Sequence, residues 1–351
     1  VQVCTTTPCM IRGAKKITDI CKKHISPNQN ELSIEINAIH DPNSIADNFI
    51  NSFIEDKSGH VWIGTGQNGI SFHSFYEPKF ISKKVDIDNP WGLKNNKIYS
   101  ITPGANGYIW VVSGLGIEYY DSDIVREFDY DKSMIGANAI MDIELTNSNR
   151  LWVASDRGVT TINTDTDEIL QIYDNEFSYD LMRYEGTKVI VGTEKGLVVI
   201  DTLMTGKNQD KLWKEIGPID GAPFRVISKD AEGNIWLGSD KNGLYKLKSE
   251  DINYYYNKDV GIYDSNSISR KHYFYNPKML NSLSSSTITC IVEDKNGIIW
   301  VGTNNGLNKY RKETDDFMHY YISDGLPSNY ITGIVADENN NLWISSKKGI
   351  T

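Results

Sequence analysis

The chain has 351 residues, with 36 Lys and Arg against 46 Asp and Glu, and a formal net charge of −10. That balance repels a phosphate backbone, and no run of Lys or Arg offsets it, so nucleic acid is excluded as a partner. No stretch of 18 apolar residues occurs, so no membrane-spanning helix is expected. Four cysteines are too few for a disulfide scaffold.

In chain order, residues 1–31 come first and stand outside the periodic pattern that follows. Residues 1–14 (VQVCTTTPCMIRGA) lead into 17–25, where Ile17, Ile20 and Cys21 have helical spacing. This stretch resembles the N-terminal part of the thioredoxin-like 2Fe–2S subunit of NADH dehydrogenase. In that family four thiolates hold the cluster. Cys4 and Cys9 match the first pair, and no second pair follows, so the resemblance implies a truncated remnant without a cofactor. The chain starts at Val1 with no visible secretory leader, as an excised fragment or a gene fusion would. The polar join near residue 27 (SPNQN) reads as a linker.

From residue 32 one short pattern recurs seven times. It is an anchor side chain, a β-branched residue or Leu, one or two small residues, then a turn ending in Gly and an aliphatic. The copies are 62–70 (WIGTGQNGI), 110–117 (WVVSGLGI), 152–159 (WVASDRGV), 190–197 (IVGTEKGL), 236–244 (WLGSDKNGL), 300–307 (WVGTNNGL) and 343–350 (WISSKKGI). Anchors step by 48, 42, 38, 46, 64 and 43 residues. A period near 45 with strand-forming segments predicts propeller blades. In the sixth copy, strands are expected at 288–292, 298–303, 307–311 and 317–321, joined by polar turns that contain Asn-Gly. The fold expected is all-β: a single seven-bladed β-propeller of four-stranded antiparallel blades over 32–351, with a short N-terminal non-propeller segment. The last blade is cut short, and the alternating segment 32–38 is the candidate strand to close it.

The anchor strands are apolar at nearly every position, which implies burial on both faces. Trp62, Trp110, Trp152, Trp236, Trp300 and Trp343 are expected to fill the gaps between blades. Ile190 replaces Trp in the fourth copy, and thinner packing is expected there. Gly69, Gly116, Gly158, Gly196, Gly243, Gly306 and Gly349 are read as turn residues that need φ above zero. Gly64, Gly192, Gly238 and Gly302, two residues after the anchor, would admit close approach of a neighbouring strand. Cys290, in an apolar strand, is read as a core residue.

The motif around 288–310 and 50–72 resembles the two-component regulator propeller repeat. Connecting segments at 40–50 (HDPNSIADNFI), 275–288 and 324–331 resemble that family's inter-blade signature. The resemblance implies a periplasmic sensor region of a hybrid two-component system, one that detects an oligosaccharide. Its partners would be a small-molecule or oligosaccharide ligand and the other domains of a larger sensor. A homodimer is compatible with it. The kinase and output domains are not in this chain, which would sense without signalling by itself.

Catalytic signatures are sparse. Six histidines (His24, His40, His60, His73, His272, His319) show no metal-ligand spacing, and no nucleophile elbow or phosphate loop occurs. Residues 163–168 (NTDTDE) look like half a calcium loop but lack its glycine and helical flanks. No cofactor, metal or catalytic residue is expected. The long fifth-to-sixth step holds an aromatic surplus at 251–275. Tyr254, Tyr255, Tyr256, Tyr263, Tyr273 and Tyr275 are the candidate ligand contacts, because aromatic faces stack on sugar rings and loops on rigid scaffolds carry function. The alternative is that they are ordinary outer-strand aromatics. Turn residues Asn68, Arg157, Lys195, Lys241 and Asn305 are further candidates at the ring mouth. Two other functions fit the fold: a lyase-type enzyme, which needs a convergent acid/base set, and a protein-interaction platform.

Overall fold

The computed structural model describes residues 45–351, except 56–59, 75–76, 86–91, 105–107, 121–125, 132–134, 147–149, 175, 202–212, 217–218, 258–267 and 338. The N-terminal segment with Cys4 and Cys9, the closing strand expected at 32–38, and Tyr263 all lie outside these residues.

The described chain folds into seven antiparallel sheets arranged as blades. Blade one is β1 (Ile50–Glu55), β2 (Val61–Thr65), β3 (Ile70–Ser74) and β4 (Glu77–Lys83). Blade two is β5 (Ile98–Pro103), β6 (Ile109–Ser113), β7 (Gly116–Tyr120) and β8 (Arg126–Asp131). Blade three is β9 (Ile140–Thr146), β10 (Arg150–Ser155), β11 (Gly158–Asn163) and β12 (Ile169–Tyr173). Blade four is β13 (Ser178–Tyr184), β14 (Lys188–Thr193), β15 (Gly196–Asp201) and β16 (Trp213–Ile216). Blade five is β17 (Phe224–Lys229), β18 (Asn234–Ser239), β19 (Leu244–Lys248) and β20 (Arg270–Tyr273), with helix α1 (Ser249–Asn257) between its last two strands. Blade six is β21 (Ile288–Glu293), β22 (Ile299–Thr303), β23 (Gly306–Arg311) and β24 (Asp316–Tyr320). Blade seven has three strands, β25 (Ile331–Ala336), β26 (Leu342–Ser346) and β27 (Gly349–Ile350). The first strand of each blade lies beside that of the next all round the ring, β25 against β1 included.

One hydrophobic cluster fills each seam between blades. The anchor of one blade meets an apolar plug that lies five residues before the next blade's first strand. The pairs are Trp62 with Leu93, Trp110 with Ile135, Trp152 with Tyr173, Ile190 with Ile219, Trp236 with Leu283, Trp300 with Leu326, and Trp343 with Ile45. The first six anchors are buried and Trp343 is half-buried. The seam at Ile190 is not thin. Tyr184, Phe224 and Tyr245 supply aromatic volume there, and Ile252 of α1 and Ile268 add to it. The aromatic lost at the anchor is replaced by one from its own blade and two from the next.

Small residues set the spacing of the blades. A Cβ at Gly238 would strike the Ile288 side chain of the next inner strand, and at Gly192 it would strike the Phe224 carbonyl oxygen. Blade three has Ala154 here, facing a seam where Ser178 replaces the usual large aliphatic. Six turn glycines have positive φ, and Gly116 does not. At Gly158 (φ 98) a Cβ would also collide with the Tyr173 carbonyl oxygen.

Two polar devices complete the repeat. A hydroxyl residue ends every second strand, and the turn N–H two or three residues later donates to it: Asn68 to Thr65, Leu115 to Ser113, Arg157 to Ser155, Lys195 to Thr193, Asn242 to Ser239, Asn305 to Thr303 and Lys348 to Ser346. The second is an aspartate six residues before the anchor. The indole N–H donates to it in Trp236–Asp230 (2.8 Å), Trp300–Asp294 (2.9 Å) and Trp343–Asp337 (3.0 Å). Blade three has Thr146 at that position, and the Trp152 indole N–H finds no acceptor among the described residues.

Candidate ligand-binding site at the ring mouth

All seven first strands carry a β-bulge at their second residue. Pairing with the second strand skips Asn51, Tyr99, Met141, Tyr179, Arg225, Thr289 and Thr332. A bulge releases one residue from the ladder and re-aims its side chain. Repeated seven times at one level, it rings the axis with seven side chains that have no ladder duty.

These residues sit at the end of the ring that carries the second-to-third-strand turns and the blade-to-blade connections. Backbone bonds tie the two together: Gly66 N–H to Phe49 O (2.8 Å), Gly114 to Lys97 (3.0 Å), Asp156 to Ala139 (3.0 Å), Glu194 to Phe177 (3.1 Å), Asn304 to Thr287 (3.3 Å) and Lys347 to Tyr330 (3.2 Å). The acceptor in each case lies one residue before an inner strand. Phe49, Phe177 and Tyr330 therefore share this mouth with Tyr99 and Tyr179. Phe177 and Tyr179 stack at 4.8 Å. Cations lie on the aromatic faces: Lys97 over Tyr99 (4.7 Å), Arg225 over Tyr179 (4.5 Å) and Lys347 over Tyr330 (3.7 Å). Arg225 also pairs with Asp240 of its own turn at 3.3 Å. The turn candidates Asn68, Arg157, Lys195, Lys241 and Asn305 belong to this end.

Behind the bulges an acidic belt links four blades. Ser100 Oγ donates to Asp142 Oδ1 (3.0 Å). The Leu181 N–H donates to Asp142 Oδ2 (3.1 Å) and to Asp180 Oδ1 (2.9 Å), and the Ile227 N–H donates to Asp180 Oδ2 (2.5 Å). Lost hydration raises Asp142, and lost hydration plus the charge of Asp142 pushes Asp180 well above the usual carboxylate range. One proton held between the two carboxyls would relieve that repulsion. Glu144, paired with Arg183, is pushed up to about 6, first by lost hydration and against the pull of that guanidinium. Three of the four oxygens of Asp142 and Asp180 accept bonds from neighbouring blades, and Asp180 Oδ1 accepts from its own strand, so the pair joins blades.

The tyrosines of the blade-five insertion are spread over several environments. Tyr254, Tyr255 and Tyr256 are on α1, at the end of blade five opposite the mouth. Tyr254 is exposed, and Tyr256 packs on the blade-four seam with Lys188 over its ring at 4.6 Å. Tyr273 lies between blades five and six, and its hydroxyl donates to Asp315 (2.7 Å). Tyr275 is exposed at the connection end, one strand away from α1. Tyr263 lies outside the described residues. The helix itself has a sequence signal: Ser249 is followed by Glu250 and Asp251 in the first turn.

Among the described histidines whose side chains are defined, none stands on an inner strand. His60 precedes β2, and His272 and His319 are on outer strands. Cys290 is on an inner strand, and burial pushes its thiol up to about 12.

Residues 44–67, 282–305 and 325–348 match the two-component regulator propeller family. No curated protein matches at a significant level. Among solved structures, the extracellular domain of a hybrid two-component system from B. thetaiotaomicron is 19% identical, with a TM-score of 0.65 over 90% of this chain and 39% of that one. PorZ, a surface component of the type-IX secretion system of Porphyromonas gingivalis, is 15% identical, with a TM-score of 0.69 over 89% of this chain and 47% of that one. Virginiamycin B lyase from Staphylococcus aureus is 14% identical, with a TM-score of 0.64 over 90% of this chain and 96% of that one. Such identities show a shared fold. This chain spans about two-fifths of the length of the sensor domain it matches. It is a seven-bladed propeller that carries two-component regulator propeller repeats.

Proposed function

We propose that this ring is the ligand-recognising domain of a larger periplasmic two-component sensor. It binds an oligosaccharide at the mouth lined by the bulge residues and does not convert it chemically. The observation that carries this reading is the sevenfold bulge, which gives one ladder-free side chain per blade to a single mouth rich in aromatic faces. Tyr99 and Tyr330 supply stacking surfaces of the kind that hold sugar rings, and Tyr179 carries Arg225. The exposed Tyr275, at the connection end, is proposed as a peripheral contact, and Tyr254, at the opposite end, stands outside this site. The transducing partner is the remainder of the sensor.

The lyase-like scaffold gives the reading a clear competitor. It is disfavoured because the raised carboxyls of the belt are committed to inter-blade hydrogen bonds and the described histidines with defined side chains stand away from the inner strands. A calorimetric screen of oligosaccharides, with chromatography of the recovered ligand, tests it. Binding of one sugar, recovery of that sugar unchanged, and loss of binding in Tyr179→Ala are expected. Turnover of the ligand, or binding indifferent to Tyr179→Ala, would overturn it.

A further inference from the structure

The two ends of the ring differ in charge. The mouth presents exposed Lys97, Arg157, Arg225, Lys241, Lys347 and Lys348 on its inner strands and second-to-third-strand turns. Glu176 offsets Lys195 there, Asp240 offsets Arg225, and exposed Asp174, Glu194 and Asp324 stand at the same end. The opposite end carries exposed Asp165, Asp167, Glu168, Glu185, Glu232, Glu250 and Glu313 against exposed Lys229, Lys248 and Lys295, with Lys312 committed to Glu232. A chain of net charge −10 has thus placed an excess of exposed cations at one mouth, and three of them lie over aromatic rings there. Cations converging on a cleft focus the field and concentrate anions there, even on an acidic protein. A guanidinium stacked on tyrosine presents its edge N–H groups as a planar fork suited to a carboxylate or sulfate.

We infer that the ligand is an anionic oligosaccharide, a sugar chain that bears carboxylate or sulfate. Arg225, carried on Tyr179, and Lys97 pair with the charges while Tyr99 and Tyr330 stack on the rings. This rests on the sensor reading above and narrows it to one ligand class. The full chain would be titrated calorimetrically with acidic probes (tetragalacturonate, an unsaturated chondroitin disaccharide, sialyllactose) and neutral probes (xylotetraose, cellotetraose, mannotetraose). An acidic probe is expected to bind, with affinity falling at least tenfold from low to 0.5 M salt. The same loss is expected in Arg225→Gln and in Lys97→Gln, both with unchanged melting temperature. Binding of neutral probes alone, or of an acidic probe regardless of salt and of both variants, overturns the inference and leaves the sensor reading standing. Binding of no probe overturns both.

Discussion

Asp294 holds two parts of its repeat at once. One carboxylate oxygen accepts the Trp300 indole N–H, and the other accepts the Asn296 and Ile298 N–H groups (2.9 and 3.0 Å). Asp294→Ala leaves the buried indole N–H without an acceptor, at a cost of about 1–3 kcal/mol. The check is the midpoint of urea unfolding. Thr146→Asp in blade three supplies the acceptor that Trp152 lacks and should raise stability by roughly 1 kcal/mol in the same assay. The tryptophans and glycines were readable because few other residues fill an inter-blade gap or accept positive φ. The hydroxyl that ends each second strand stands at a fixed place in all seven copies, yet Ser and Thr are so common on surfaces that their role shows only in the hydrogen bonds. The bulge residues could not be read from sequence. Asn51, Tyr99, Met141, Tyr179, Arg225, Thr289 and Thr332 share a backbone position and no chemistry.

The inner strands of blades two to five act as one element through the Asp142–Asp180 belt. Both carboxyls titrate above their ordinary range in the folded chain, so the folded state holds more protons than the unfolded one above pH of about 4. Stability therefore falls as pH rises through the raised values, and Glu144 contributes such a fall between its ordinary 4.5 and about 6. Melting temperature should decline from pH 5 to pH 7, and Asp180→Asn, which keeps a donor toward Asp142 at every pH, should flatten that decline. A profile in which wild type and variant run parallel would refute the shared proton. Strand order was legible because the turn signals are strong; the sixth copy's strands fall within a residue of expectation. Helix α1 was hidden because three consecutive tyrosines favour a strand by propensity, while burial of Ile252 on the blade-four seam settles the matter.

At the scale of the ring, the seams are unequal. Among the described residues, fifteen buried hydrophobics fill the seam between blades four and five, and five fill the seam between blades seven and one. A ring opens where the least apolar surface must be exposed. Hydrogen exchange should be fastest in β1 and in β25 to β27 and slowest in β13 to β19, as read by mass spectrometry under native conditions. Trp236→Ala should cost about 3–5 kcal/mol in unfolding free energy, and the same change at half-buried Trp343 visibly less. The number of blades was legible from the period alone. The turns of one mouth were candidates from sequence, but that the bulges and the connections share their end depends on strand direction and showed only in the structure.

The bulged positions also bear on how such a ring diversifies. A residue excused from pairing can be exchanged without breaking the ladder, so the scaffold has seven dials, one per blade, of which Tyr179 and Arg225 turn together because they touch. A combinatorial library confined to those seven codons should yield proteins that all assemble alike while differing in taste. Relatives with little sequence in common would then keep the same wheel and answer to unrelated molecules.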